Sequence, residues 1–401
     1  MNNSYIYPDV NLLSESYETV QIGKHTDNPK KIVEFFSSNG IAVNVTDVFE
    51  GPLVTEYAFT IARGVRVKSV LSLREDLMRC LEYDNLNFEF PVLGEAKIGI
   101  NVPSDKRYVL PLRDVIESKW FRQTKRTAAF IIGKNRQNQT VMGDVADWPN
   151  MLIGGTTGSG KTSFVDSIIL SMVYKYSPNE LQFIMIDSLG TNYTIYDYLP
   201  HMAIPAIIDT GLTFQIFGWL KKKMRKRFVE FSKYGVRSLQ SYNTTMEKIG
   251  GRKLPSIVLI IDDIGTFFKR APKKTRQDIT EITLLARAAG IYLIVVSQSA
   301  SSLILNSDIK SNLCGRFAFK VNNMTESRTI MESEGAEKLL GVGECYYDHT
   351  GRHRLGYAQV PYVSHEDISK VVSYVADRNR GKFTSEVDVG EVMREVTGSL
   401  F

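Results

Sequence analysis

Residues Gly155-Thr156-Thr157-Gly158-Ser159-Gly160-Lys161-Thr162 spell G-x-x-x-x-G-K-T, preceded by the apolar Met151-Leu152-Ile153 and followed by a helix-like run from Phe164 to Met172. The spelling has a physical reason. Glycines let successive backbone N–H groups, here from Gly155 to Ser163, turn inward around phosphate oxygens, and a helix N-terminus adds partial positive charge. Lys161 then reaches the β- and γ-phosphates of ATP, and the Thr162 hydroxyl is a ligand for Mg²⁺. A strand before, a helix after and the terminal Lys-Thr make a chance Gly-rich turn a poor alternative.

A phosphate loop needs an acidic partner, and one stands about a hundred residues on. Ile257-Val258-Leu259-Ile260-Ile261 is an unbroken apolar run, as a buried parallel strand requires, and it ends in Asp262-Asp263. Asp262 is expected to hold Mg²⁺ through water, and Asp263 to orient the water that attacks the γ-phosphate. The plainer reading of Asp263 is a turn or helix cap, which Asp often makes. Phe183-Ile184-Met185-Ile186 runs into Asp187, and Ile291 to Val296 runs through Ser297 into Gln298. Ligands of open parallel sheets lie at the carboxyl ends of the strands, so Gln298 is a candidate γ-phosphate sensor. A solvent-facing polar residue is the alternative there, and more so for Asp187.

These residues need a sheet to hold them. The strands alternate with helical patterns over 212–232 and 275–289, which reads as an α/β, RecA-like P-loop fold. Upstream, Val54 to Ile61 reads as a strand, Ser69 to Leu81 as a helix, and Lys97 to Pro103 and Tyr108 to Leu112 as short strands. Short strands follow between Arg126 and Val145, with Gly133-Lys134-Asn135 as a turn. The expected organisation is a small α+β domain over 1–125, an ATPase motor over 126–375 and a tail over 376–401.

With 401 residues and 43% hydrophobic content, the chain can bury two cores. Its net charge of +5 is a weak bias toward polyanions at this length. Cys80, Cys314 and Cys345 lack metal-like spacing, and disulfides are not expected, which fits a reducing cytoplasm. No basic-then-apolar leader opens the chain, and nowhere do 18 apolar residues run together.

Charge gathers in Lys221-Lys222-Lys223-Met224-Arg225-Lys226-Arg227. Helical spacing puts Phe217, Leu220, Met224, Phe228 and Phe231 on one face and leaves the cations on the rest. A solvated face of a core helix explains this first, and a phosphate- or subunit-contacting face second. Arg316 and Lys320 bracket a strand-like Phe317-Ala318-Phe319, and Arg328 is read as opening a helix; burial against carboxylates is the alternative to work on ATP for either.

The phosphate loop resembles that of the FtsK/SpoIIIE DNA translocases, and further segments match in the family's order. They are Phe183 to Asp187, Gly235 to Asn243, Ala286 to Ile291, Ser327 to Ile330 and Gly335 to Gly343. Upstream, Gly51-Pro52-Leu53-Val54-Thr55, Gly64-Val65-Arg66-Val67 and Ile98 to Pro103 resemble the small domain that precedes the family's motor. The resemblance implies a homo-oligomeric ring, usually a hexamer, that moves double-stranded DNA by ATP hydrolysis, with the small domain as a second tier. It also implies an arginine given across the subunit boundary to the γ-phosphate; Arg287, Arg316 and Arg328 are the candidates. DNA grip is expected mainly through backbone phosphates, and membrane recruitment through a partner protein.

Departures from the family pattern matter too. Asp263 stands where Glu is usual, one methylene shorter. Ser188-Leu189 replaces Pro-Lys after Asp187, and Ser299-Ala300 replaces Arg-Pro after Gln298. Residues 376–401 are too few for the winged-helix reader of chromosomal members, and no membrane helix precedes the motor, so a minimal motor is expected. Two other readings stay open: a protein-export ATPase of the type VII secretion kind, and an assembly subunit that binds ATP and hydrolyses it weakly.

Overall fold

The computed structural model describes residues 4–17, 19–21, 27–90, 92, 96–187, 189–208, 210–297, 311–349 and 355–383. Strand β1 (Thr19–Gln21) pairs with β6 (Lys106–Tyr108) as an antiparallel ribbon. Between them β2 (Val43–Glu50), β3 (Val54–Ile61), β4 (Asn87–Glu89) and β5 (Ile98–Pro103) form an antiparallel sheet in the order β2-β3-β5-β4. In β2 every second residue is exposed, the mark of a strand with one wet face. The other face is covered by helix α1 (Asn28–Ser38) through Ile32 and Phe36, which pack with Phe59, Leu77, Leu81, Ile98 and Ile100.

The helix expected over Ser69–Leu81 is broken in two, α2 (Val67–Leu71) and α3 (Arg74–Leu81). At the break the Ser72 hydroxyl donates to the Ser69 carbonyl, a local bond that competes with the helical ladder. The strand expected over Tyr108–Leu112 stops at Tyr108. Pro111, preset at φ −72° and without an N–H, caps α4 (Leu112–Ile116), and α5 (Lys119–Gln123) follows.

The larger sheet holds nine strands: β7 (Ala129–Lys134), β8 (Thr140–Asp144), β9 (Asn150–Gly154), β10 (Leu181–Ile186), β11 (Ser256–Ile261), β12 (Ile291–Ser297), β13 (Gly315–Phe319), β14 (Glu344–His349) and β15 (Gly356–Gln359). Their order is β10-β11-β12-β9-β13-β14-β15-β7-β8. The first five run parallel and the rest antiparallel, so every carboxyl end that could line a phosphate site lies on one edge of the parallel half. The turn expected at Gly133-Lys134-Asn135 falls later. Gly133 and Lys134 belong to β7, and the chain reverses over Asn135–Gln139 with Asn138 at φ 59°, a conformation Asn tolerates.

Both faces of the sheet are buried. Met151 and Ile153 of β9 face a core that includes Phe164, Ile168 and Ile169 of α6 (Lys161–Val173). Leu152 faces the opposite core, with Phe217 and Leu220 of α7 (Thr210–Lys233), then Ile279 and Ile282. Helix α8 (Leu239–Ile249) and the pair α9 (Ile264–Arg270) and α10 (Lys273–Leu285) complete that side.

The first core also takes in Tyr5, Leu13, Leu110, Val115, Ile116 and Phe121. The N-terminal residues and the segment after β6 therefore pack on the larger unit, although sequence grouped them with the smaller one. A helix over His365–Asn379 crosses position 376, where the tail was expected to begin, and exchanges two hydrogen bonds between the Asn379 amide and the Ile6 backbone.

Candidate nucleotide site

The phosphate loop joins β9 to α6 and is shaped by its glycines. Gly155, Gly158 and Gly160 have φ of 155°, 76° and 108°, values that L side chains rarely adopt. Two of them also have no room to spare. A Cβ on Gly155 would lie 2.7 Å from Phe319 Cβ, and one on Gly160 would lie 2.8 Å from Gly343 Cα. Gly158 has open space around it, and Thr157 and Thr162 are exposed, so the mouth of the loop faces solvent.

Within the loop, Ser159 donates from its N–H (3.2 Å) and hydroxyl (2.7 Å) to the Thr156 carbonyl. Thr156 in turn donates from N–H (2.9 Å) and hydroxyl (3.0 Å) to the Lys320 carbonyl just past β13. On the other flank the Gly343 N–H donates to the Ser159 carbonyl at 2.9 Å. Lys161 folds back over this frame, its Nζ donating to the carbonyls of Gly155 (2.9 Å) and Thr156 (2.7 Å). Burial of the ammonium pushes its pKa down to about 8, against an opposing pull from Asp262. The N–H groups of Lys161, Thr162 and Ser163 open α6 and have no partner one turn back.

The acidic side is built differently. Strand β12 lies between β9 and β11, with Ser297 in register with Gly154, so Asp262 at the end of β11 stands two strands from the loop. Its carboxylate is buried, and burial raises its pKa. Two donors oppose that rise: Asn192 Nδ2 at 2.8 Å from Oδ2, and the Asp263 backbone N–H.

Asp263 itself has φ 47° and caps α9, accepting from the Thr266 N–H at 3.5 Å and from its hydroxyl at 2.5 Å. The capping role weighed from sequence is therefore the one its side chain adopts here. Asp187 does not face the site as a ligand. It is fully buried, and its carboxylate collects four backbone N–H groups, from Leu189, Gly190, Asn192 and Tyr193, at 2.7–3.2 Å. Gln298 lies outside the described residues.

The three arginines separate. Arg316 is buried at 3% exposure, with its guanidinium paired to Glu332 at 2.8 Å and donating to the Leu313 carbonyl. Burial against a carboxylate, the alternative weighed from sequence, is the arrangement Arg316 adopts within its own subunit. Arg287 is exposed in the turn before β12, at the end of the sheet opposite the phosphate loop. Arg328 sits mid-helix in Met324–Met331, not at its start, and pairs with Glu334.

The basic run on α7 is largely a surface. Lys221 pairs with Asp278 (2.7 Å) and Glu281 (2.9 Å), and Arg225 with Glu281. Arg227 departs from the expected polar face. It is buried and donates to the carbonyls of Ala289 and Pro255.

The residues present fit ATP with Mg²⁺. The loop offers a strained, glycine-only cradle at a helix start, an exposed Thr162 hydroxyl and a buried carboxylate across β12. Among the described residues no three His, Cys, Asp or Glu side chains gather as a self-sufficient metal site. A hard divalent ion there would be held jointly with nucleotide phosphates and water. Sequence reasoning missed Asn192, the Lys320 carbonyl and the Gly343 contact. The doubled glycines Gly341 and Gly343 were a signal for close backbone approach, whereas nothing local marks Asn192.

Comparison with known proteins places this arrangement. The FtsK/SpoIIIE family profile matches residues 111–302, and the FtsK alpha domain profile matches residues 7–104. The DNA translocase FtsK of Caldanaerobacter subterraneus subsp. tengcongensis is 34% identical over 389 residues, and the DNA translocase SpoIIIE of Bacillus subtilis is 31% identical over 412. These matches cover 96% and 100% of this chain but 54% and 52% of the relatives, so the chain spans about half the length of either.

Among solved structures, the pCW3 conjugation coupling protein TcpA superposes with a TM-score of 0.59 at 16% identity, covering 88% of this chain and 100% of that one. The cytoplasmic domain of the Thermomonospora curvata type VII secretion ATPase EccC gives 0.55 at 20% identity, covering 63% and 32%. At such identities the likeness shows a shared P-loop ATPase fold. The chain belongs to the FtsK/SpoIIIE family.

Proposed function

We propose that this chain is the motor part of an ATP-driven double-stranded DNA translocase that works as a homo-oligomeric ring, a hexamer by family habit. One observation carries the reading: a glycine-strained phosphate loop and a buried carboxylate stand at the same edge of the parallel half of one mixed sheet, in a chain matched by both family profiles. Lys161, whose Nζ now donates to the Gly155 and Thr156 carbonyls, would donate to β- and γ-phosphate oxygens when nucleotide is bound. The loop from Gly155 to Ser163 would hold the phosphates, chiefly through the Lys161, Thr162 and Ser163 N–H groups at the helix start, because those of Thr156 and Ser159 already donate to the Lys320 and Thr156 carbonyls, and Thr162 and Asp262 would hold Mg²⁺. When bound with the nucleotide, Mg²⁺ neutralises charge across the β- and γ-phosphates. Asp263 and Gln298 are the candidates to orient the attacking water.

Arg287 and Arg328, both exposed, are favoured over buried Arg316 as the arginine given by the neighbouring subunit. The unit around β2–β5 forms the second tier, and a partner protein supplies any membrane attachment. Among the described residues no helix is long and apolar enough to cross a membrane. The decisive experiment is the ATPase rate of the full chain with and without long duplex DNA, alongside its mass with ATP. Stimulation by DNA and a ring-sized mass are expected. A DNA-indifferent rate with no duplex binding would favour protein export, the role named for the EccC structure.

A second reading rests on Asp263. Its hydrogen bonds to Thr266 favour an assembly subunit with weak turnover, which the same assay exposes as ATP binding without stimulated hydrolysis.

A further inference from the structure

The segment over residues 189–196 touches three aspartates, each in a different way. Asp187 organises it: Oδ1 accepts the N–H groups of Leu189 (3.2 Å) and Gly190 (3.0 Å), and Oδ2 those of Asn192 (2.7 Å) and Tyr193 (3.1 Å). Four charge-assisted bonds from one fully buried carboxylate leave the loop little freedom, and Gly190 supplies the left-handed turn at φ 68°. At its far end the Tyr196 hydroxyl donates to Asp166 on α6 at 2.7 Å. Midway, half-buried Asn192 donates to Asp262 at 2.8 Å. The loop thus ties the helix of the phosphate loop to the acidic strand end.

We propose that Asn192 is a positioning residue for divalent-metal use. Its amide holds Asp262 Oδ2, so that the remaining carboxylate oxygen is turned toward the metal and its water. The inference rests on the proposed nucleotide site and adds to it a residue outside the phosphate loop and the Asp262-Asp263 pair. An amide suits the task because it donates without adding charge. A carboxylate at 192 would set a second negative group against Asp262, and an alanine would leave a buried oxygen without its partner. Outer residues of this kind orient a ligand and tune affinity, and their loss typically costs about 10- to 100-fold in metal binding.

The test uses a fluorescent ATP analogue bound by the full chain, first in EDTA and then across a Mg²⁺ titration. With Asn192→Ala, affinity in EDTA is expected to match wild type, while the Mg²⁺ concentration giving half of the metal-induced change rises about 10-fold. Asn192→Asp, nearly the same shape, is expected to raise it at least as far, which separates donor loss from misfolding. A purely structural role would weaken binding equally with and without Mg²⁺, and that result overturns the proposal. So does an unchanged Mg²⁺ titration in both variants while the wild type responds to Mg²⁺; in that case the site reading stands and only Asn192 falls. If wild-type binding itself ignores Mg²⁺, the site reading and the proposal fail together.

Discussion

The phosphate loop and the acidic strand end, the two halves of the proposed nucleotide site, are held by opposite means. The loop is a backbone object: three glycines at positive φ, carbonyls from Lys320 and the loop itself, and a neighbouring glycine pressed against Gly160. The acidic end is a side-chain object. Asp262 depends on Asn192, 70 residues earlier, and the loop carrying Asn192 depends on one buried carboxylate. Backbone geometry can be written in consecutive residues, whereas side-chain support must be assembled by the fold.

Four experiments break or sharpen this contrast. The largest effect is expected at Lys161, the one side chain the loop commits to phosphate. Lys161→Ala should lower hydrolysis at least about 100-fold, the scale for removing a positioned donor, with an unchanged circular dichroism spectrum. Phosphate release within twofold of wild type would show that the loop works by backbone alone. Next, Asp262→Asn should cut turnover by roughly 10- to 100-fold and leave binding in EDTA intact, because Asn still fills the buried space. Equal losses with and without Mg²⁺ would mean that the acidic end props up the loop instead of serving the metal.

Asp263 decides between cap and catalyst. Asn caps helices as well as Asp and accepts φ 47°. Asp263→Asn should therefore keep the melting temperature and stop turnover if the carboxylate orients water. Normal turnover would reduce Asp263 to its hydrogen bonds with Thr266. Asp263→Ala should cost about 1 kcal/mol of stability from the lost cap, readable by urea titration. Asp263→Glu should retain or raise activity, and its loss would mean the turn is built around the shorter side chain.

The smallest effect concerns pH. Burial brings the Lys161 ammonium down to about 8, so the free protein loses this charge as pH rises through that value. Phosphate oxygens favour the charged form, so ATP affinity should fall between pH 7 and 9 with proton uptake on binding. A flat profile by calorimetry would place the amine away from phosphate.

Much of this was legible beforehand, and the misses share a cause. The strands ending at Gly154, Ile186, Ile261 and Ser297 could be read because continuous apolar runs bounded by polar residues describe buried parallel strands. The place of Lys161 and Thr162 at the start of α6 was legible because their neighbours are local. Asp187 was weighed between lining the site and facing solvent and does neither, because a strand-end carboxylate looks alike whether it meets solvent, metal or four amides of its own loop. For Arg316 burial against a carboxylate was one of the two readings, but which carboxylate was not legible, since Glu332 lies one helix away. Ser72 broke a helix that spacing alone would have continued.

The strand order also dictates a schedule. β9 is complete at residue 154, but the strands that flank it, β12 and β13, begin at residues 291 and 315. At roughly 5–20 residues per second on the ribosome, the apolar Met151-Leu152-Ile153 waits about 8 to 30 seconds for both neighbours to emerge. Nothing closes the gap sooner, since a parallel strand cannot pair with itself through a hairpin. During synthesis the phosphate loop is the first part of the site to be made and the last to be seated.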